Sequence, residues 1–275
     1  RENYLKALGL IEGHSDKRRQ SYLLGSLGNV YLQTGELDKA GDYYTRSLAV
    51  MVELNDRMGE ARGHANLGHV QMLGKNWDGA ESQYKKSLEL MEGLENRPGI
   101  AQQCEALGDI YLKKEDMQNA EEYLKRASDL YESMKEPHGL RQIQDKLVYI
   151  MGHPKYLQSR REELSAILKS PEVEKDDVKQ AALLSELGNI HYLANELGQA
   201  VDVLRQVCRL KEKLHDNAGL SAAYGNLGSI LLQSNDLAGA EENYARAIAM
   251  KEELQDYKTL FELYASRANI LLSLS

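Results

Sequence analysis

The chain has few of the residues that interrupt helices or build covalent cross-links. Its 275 residues include only four prolines and two cysteines. An all-β chain of this length would need many Gly/Pro turns, so the shortage of proline favours helix. Two cysteines cannot form a disulfide framework and lack the spacing of a zinc site. No secretory signal is visible either, and we therefore expect a cytoplasmic location and no bound metal.

An excess of positive charge and long apolar runs are also missing. Asp and Glu number 42 against 34 Lys and Arg, giving a formal net charge of −8. This balance argues against binding to nucleic acid or an anionic membrane. No stretch approaches the ~20 apolar residues of a spanning helix. Apolar residues still make up 42% of the chain, which excludes a disordered tail. We expect neither nucleic acid nor membrane as a partner.

An internal repeat of 40 residues runs through the sequence. Leu-Gly recurs at this spacing, and Val or Ile follows each Leu after three residues. The dipeptides are Leu27-Gly28, Leu67-Gly68, Leu107-Gly108, Leu187-Gly188 and Leu227-Gly228. A second column of small residues is Ala40, Ala80, Ala120, Ala200 and Ala240. Self-similarity at a fixed period indicates a repeat architecture rather than the two globular domains that length alone suggests.

Each copy of the repeat has the pattern of two helices. Apolar residues recur at i, i+3 and i+4, which predicts helices of about 14 and 17 residues. Short polar turns such as Thr34-Gly35-Glu36 join them, and an acid or amide at each junction, from Asp16 to Asp256, is suited to N-capping. The Gly and Ala columns allow close approach of the two helices. One pair cannot bury its apolar face alone, so we predict an all-α solenoid of stacked antiparallel helix pairs.

The register divides the chain into full repeats and two half-repeats within a single predicted domain, residues 1–275. The predicted segments are a half-repeat at 1–12, repeats at about 17–54, 57–94, 97–134, 138–169, 177–214 and 217–254, and a half-repeat at 260–275. The fourth repeat is degenerate, because Val148 replaces the glycine and Arg160 replaces the alanine. It is either a tolerated, decayed copy or a hinge at 138–179.

The columns together resemble the tetratricopeptide repeat superfamily. The first full repeat shows the signature as Leu24, Leu27, Gly28, Tyr31, Ala40, Tyr44 and Ser47. The 40-residue period is similar to that of Leu-Gly-Asn-type spindle-orientation adaptors and kinesin light chains. The resemblance implies a right-handed superhelical solenoid whose first helices line a concave, peptide-binding groove. The lysine with which chaperone-binding members clamp a terminal carboxylate is missing, since its column begins Gly25, Ala65, Glu105.

No catalytic motif is present in the sequence. It lacks a Gly-rich phosphate loop, His-Glu-x-x-His, Gly-x-Ser-x-Gly and Cys-x-x-Cys. Cys104, Cys208 and Trp77 fall on apolar columns, so we expect them in the core, with inert thiols. We predict a protein that is not an enzyme and has no cofactor.

The candidate binding site is the face of each first helix that points away from the apolar columns. We define the first-helix stripe as residues 22, 26, 29 and 33 and their counterparts every 40 residues. Asn recurs on this stripe despite its poor helix propensity, and its amide both donates to and accepts from a peptide backbone. Alternatively, these residues only cap neighbouring helices. The candidate peptide-binding residues are Asn29, Arg62, Asn66, His69, Glu105, Asp109, Asp145, Tyr149, Asn189, Asn226 and Asn269.

These features favour an interaction scaffold that holds a peptide segment of a partner protein. Glu105, Asp109 and Asp145, with Glu186 beyond them, suggest a partner with Lys or Arg, although an ordinary solvated acidic surface is the alternative. A second hypothesis is head-to-tail self-association, because the chain starts with a second helix and ends with an apolar first helix. A third makes it the regulatory or sensor segment of a larger signalling protein.

Overall fold

The structure is a computed structural model that describes residues 2, 6–7, 9 and 16–274. In this part of the chain all regular secondary structure is α-helical, which confirms the predicted fold class. The half-repeat predicted at 1–12 lies mostly outside the described residues. The helices with described bounds are α1 (Lys17–Gln33), α2 (Leu37–Glu53), α3 (Arg57–Leu73), α4 (Trp77–Gly93), α5 (Arg97–Lys113), α6 (Met117–Met134), α7 (Pro137–Met151), α8 (Pro154–Leu168), α9 (Asp177–Leu193), α10 (Leu197–Lys213), α11 (Asn217–Gln233), α12 (Leu237–Glu253) and α13 (Leu260–Leu274).

The chain divides into two compact units, Arg1–Ile150 and Met151–Ser275. Within the first, α1 pairs with α2, α3 with α4 and α5 with α6, while α2 also packs on α3 and α4 on α5. Within the second, α9 pairs with α10 and α11 with α12, while α13 packs on α12. Each unit is thus a stack of helix pairs. One continuous solenoid over 1–275 and a hinge at 138–179 stay predictions.

Most turns between helices, except those after α7 and α8, follow one pattern, illustrated by the turn after α2. Asn55 adopts a left-handed conformation, φ 53°. Its N–H donates to the Val52 carbonyl and the Asp56 N–H donates to the Met51 carbonyl, both at 3.0 Å. This is a Schellman motif, which satisfies the last carbonyls of the helix. The Asp56 carboxylate then accepts the Gly59 N–H at 2.8 Å and caps α3. One residue therefore closes a helix and starts the next.

Because one residue both ends the turn and caps the next helix, the first helices are longer than predicted. Apart from α7 and α13, they span 17 residues rather than about 14, because each begins directly after its cap. The side chains that cap first helices are Asp16, Asp56, Asn96, Asp176 and Asp216. Asp256 is an exception in this column and caps no helix. Helix α13 begins only at Leu260, and the Asp256 carboxylate binds Lys251 Nζ at 2.6 Å.

The two columns of small residues form the contact between paired helices. The predicted alanines, such as Ala40 and Ala80, are fully buried. A Cβ atom added to Gly28 would lie 2.6 Å from the Tyr44 ring, well inside van der Waals contact. Only glycine lets α1 approach α2 this closely. Val148, at the same position of α7, is 69% exposed.

Buried hydroxyl groups add polar links between the paired helices. Ser47 on α2 donates to the Ser21 carbonyl of α1, and Ser87 on α4 donates to the Ala61 carbonyl of α3, both at 2.8 Å. Cys104 and Cys208 are buried as predicted, and burial raises the pKa of each thiol to about 11. Among the described residues, no helix has the length and apolar content needed to cross a bilayer.

Candidate peptide-binding surface

The first-helix stripe lies on an accessible face of the helices. Its members all fall within the described residues, and none of them is buried. Neighbouring positions of the same helices are deeply buried, for example Leu24 and Leu27 on α1. Tyr22, by contrast, is 67% exposed. The helical periodicity therefore located the accessible face correctly.

A group of stripe residues lines a cavity of about 400 Å³ in the first unit, between α1 and α3 with α2 behind them. We call it the N-terminal cavity. Two consecutive first helices contribute to it, because their stripe residues repeat in register. Its stripe residues are Tyr22, Ser26, Asn29, Arg62 and Asn66.

A buried tyrosine positions one of these amides. The Tyr44 hydroxyl donates to Asn29 Oδ1 at 2.5 Å. Burial raises the pKa of Tyr44, so its hydroxyl stays protonated and remains a donor. Since the amide oxygen is occupied, the Asn29 NH₂ group is the part left for a ligand. Asn29 thus combines a contact within its own repeat with an outward-facing donor.

A second cavity, of about 290 Å³, occupies the equivalent place in the second unit, between α11 and α13. We call it the C-terminal cavity. The Ser229 and Tyr244 hydroxyls lie 2.9 Å apart, which repeats the contact between residues 29 and 44. Its stripe residues are Ala222, Asn226, Ser229, Glu262 and Ser266.

A third cavity, of about 490 Å³ in the first unit, is more apolar. Its walls include Asp109 and Tyr149 of the predicted site, with Met72, Leu112 and Trp77. The prediction that Trp77 belongs to the core was wrong, since this residue is only half-buried. Other repeats carry Leu or Met at this position, and the larger indole is left partly uncovered at the start of α4.

The predicted acidic patch is largely neutralised within the chain. Lys146 Nζ lies 2.9 Å from Glu105 Oε1 and 2.7 Å from Asp109 Oδ1. Burial lowers the pKa of Lys146, but the hydrogen bonds with both carboxylates outweigh this and raise it. Glu186 is likewise paired, with Arg160 at 2.6 Å. Asp145 is exposed on α7. Lys146 belongs to the stripe itself, whereas Arg160 lies on α8 at a position where the other repeats carry alanine.

The remaining predicted residues are dispersed. His69, Asn189 and Asn269 are exposed on α3, α9 and α13, and they line none of the three cavities. Arg18 is a lining residue of the N-terminal cavity that sequence reasoning missed. It lies one helical turn before Tyr22 on the same face of α1, so extending the stripe by four residues toward the helix start would have found it.

The repeats match a known family model, and the chain is similar to several solved structures. The model is described as tetratricopeptide repeat and matches residues 18–93, 59–133 and 179–253, which together exceed half of the chain. No curated protein sequence matches this one.

Three solved structures illustrate the likeness in fold. The apo form of RapI is 14% identical over 98% of this chain and 90% of its own, with a TM-score of 0.47. The TPR2AB domain of yeast Sti1, in complex with pHSP90, is 14% identical over 92% and 98%, with a TM-score of 0.40. A putative kinesin light chain from Podosopora anserina with nearly identical TPR-like repeats is 14% identical over 88% and 99%, with a TM-score of 0.39. The assignment rests on the family model: the chain belongs to the tetratricopeptide repeat family.

Proposed function

We propose that this protein is a non-catalytic interaction scaffold that binds an extended peptide segment of a partner protein along its first-helix stripe. The observation that carries the proposal is the lining of the N-terminal and C-terminal cavities. In each, stripe residues of two consecutive first helices come together around open space. A peptide lying across two consecutive first helices would meet the stripe residues of both.

The distribution of polar groups favours a peptide over a small molecule. Small-molecule sites concentrate a few convergent polar groups in one enclosed pocket. Here amides and hydroxyls recur with the repeat, as in Asn29, Asn66 and Asn226. An extended backbone offers alternating N–H and C=O groups, and such amides match both. Exposed Tyr22 supplies an aromatic surface for a side chain beside them.

The proposal also covers the charge of the partner peptide and the location of the protein. With Glu105 and Asp109 bound to Lys146, a preference for basic segments depends on Asp145 alone. We therefore propose a peptide partner without requiring basic residues. The cytoplasmic location expected from the sequence belongs to the same proposal.

A selection experiment tests peptide binding directly. Random peptides displayed on phage would be selected on the full chain, and an enriched peptide would be measured by fluorescence anisotropy. Asn66→Ala removes one amide of the N-terminal cavity and should weaken binding about threefold to tenfold, the effect of one hydrogen bond. Asn217→Ala is the matched control, because Asn217 is exposed on α11 and lines none of the cavities. Failure to enrich any peptide, or equal binding by both variants, contradicts the proposal.

Head-to-tail self-association is a second candidate, favoured by one exposed surface. Phe261 and Leu272 on α13 are 81% and 76% exposed, which is unusual for large apolar side chains. The other predicted partner surface, at residues 1–12, lies mostly outside the described residues. Sedimentation at increasing concentration tests this candidate, and Phe261→Ser should weaken any association. A monomer at every concentration would rule it out.

A further inference from the structure

Two arginines that form no ion pair with the described residues place positive charge at the N-terminal cavity. Arg18 and Arg62 both line it and are exposed. Among the residues that the structure describes, neither side chain forms an ion pair or a hydrogen bond. The one acid among the described lining residues is Asp56, whose carboxylate accepts the Gly59 N–H and caps α3. Both guanidinium groups are therefore available to a ligand.

The equivalent cavity in the second unit shows that the repeat does not require these charges. Counting 200 residues onward, Glu262 stands at the place of Arg62 and Ala218 at the place of Arg18. The C-terminal cavity forms without them. Its lysine, Lys251, is already bound to Asp256. The arginine pair is thus specific to one site, and packing does not explain it.

We propose that the N-terminal cavity binds an Asp or Glu side chain within the partner peptide, with Arg18 and Arg62 as its counter-charges. This inference rests on the proposed peptide-binding function and specifies the charge of the peptide at one point. A guanidinium group matches a carboxylate with two parallel hydrogen bonds. The Asn29 NH₂ group, held by Tyr44, is a further donor on the same wall.

The carboxylate is assigned to an internal side chain of the peptide. A terminal carboxylate has the same chemistry, so the test has to separate the two sources. Peptides displayed on phage with both flanks joined to the coat protein have no free C-terminus. Peptides enriched on the full chain should be rich in Asp and Glu, and this enrichment should disappear on the double variant Arg18→Gln/Arg62→Gln. Enrichment of neutral or basic peptides overturns the inference and leaves peptide binding intact, whereas failure to enrich any peptide overturns both.

Affinity measurements on one enriched acidic peptide, synthesised with an amidated C-terminus, complete the test. Arg62→Gln and Arg18→Gln should each weaken binding about tenfold, as expected for a hydrogen bond to a charged group. Arg62→Lys should restore part of the loss, and added salt should weaken binding to the wild type. Arg57→Gln, an exposed arginine of α3 outside the cavity, is the control and should leave affinity unchanged.

Each outcome of these measurements has a defined meaning. Glu→Gln or Asp→Asn changes in the peptide should reproduce the loss seen in the arginine variants. Binding that needs a free C-terminus in place of the internal acid would overturn the assignment to a side chain. Equal affinity of the Arg62→Gln and Arg57→Gln variants for the peptide would overturn it as well. Urea midpoints that match the wild type exclude misfolding as the cause of any loss of affinity.

Discussion

The N-terminal and C-terminal cavities are built from the same positions of the repeat, 200 residues apart, but they carry different chemistry. A tyrosine of the second helix, Tyr44 or Tyr244, bonds a stripe residue in each. The stripe then diverges, with Arg62 in one and Glu262 in the other. The buried columns therefore determine that a cavity forms, while the proposed function assigns the choice of ligand to the stripe. Changes to the two classes of position should have separable effects.

The largest expected effect comes from the glycine that packs against the lining tyrosine of each cavity, Gly28 or Gly228. Gly28→Val should lower the free energy of unfolding by about 1–3 kcal/mol, because the side chain would displace the Tyr44 ring. Gly228→Val should cost less, since its Cβ would meet Tyr244 at 3.1 Å rather than 2.6 Å. Urea unfolding curves of both variants measure the difference.

A glycine with open space around it provides the control for this pair. A Cβ atom on Gly198 in α10 would meet nothing within 4 Å. Gly198→Ala should leave stability unchanged or raise it by up to about 1 kcal/mol through helix propensity. If Gly28→Val is as stable as the wild type, close approach of the paired helices does not shape the cavity.

A smaller effect is expected from the tyrosine hydroxyls. Tyr44→Phe removes the donor to Asn29 and should lower stability by about 0.5–1.5 kcal/mol, the net value of one hydrogen bond. Peptide affinity should also fall, because the amide is no longer oriented. Tyr244→Phe should weaken peptide binding less, since the Ser229 hydroxyl can rotate to another partner. Calorimetric titration of an enriched peptide compares the two, and a larger loss in Tyr244→Phe would contradict the assigned roles.

The smallest effect concerns pH and the ion pair at the C-terminal cavity. The hydrogen bond from Lys251 lowers the pKa of Asp256 below its usual 3.8. Because the pKa of Asp256 is lower in the folded than in the unfolded state, its ionised carboxylate stabilises the folded state at pH above 3.8. This stabilisation is lost as the pH falls through the folded-state pKa. Lys251→Met introduces the residue found at the N-terminal cavity, Met51. Below pH 3.8, the urea midpoint of this variant should therefore fall less steeply with decreasing pH than that of the wild type. Identical pH profiles of the two proteins would show that the ion pair contributes nothing to folding stability.

Most of the fold followed from the sequence because burial in this chain is periodic. The Leu-Gly and Ala columns predicted which residues pair the helices, and the stripe predicted the accessible face. Contacts between side chains of different helices were not predictable in this way. Tyr44 reaches Asn29 across 15 residues, and Lys146 reaches Glu105 across 41. Such contacts depend on the side chains at single positions, so Tyr44 and Tyr244 both bond a stripe residue, but that residue is Asn29 in one copy and Ser229 in the other.

The same distinction explains the errors. Trp77 occupies an apolar column, but its size leaves it partly outside the pair, on the wall of a cavity. Asp256 continues the cap column, yet α13 starts too late for it to cap. In both cases the residue lies at the predicted position of the repeat. The size of the side chain at Trp77 and the late start of the helix after Asp256 differ from the other copies.

Site-specific photocrosslinking tests most directly whether peptides bind the first-helix stripe. Tyr22→p-benzoylphenylalanine places a similar ring on the exposed face of α1, and Thr45→p-benzoylphenylalanine places it on the exposed face of α2 in the same pair. An enriched peptide should crosslink to the chain labelled at position 22 and be displaced by unlabelled peptide. Equal or stronger crosslinking from position 45 would contradict the account.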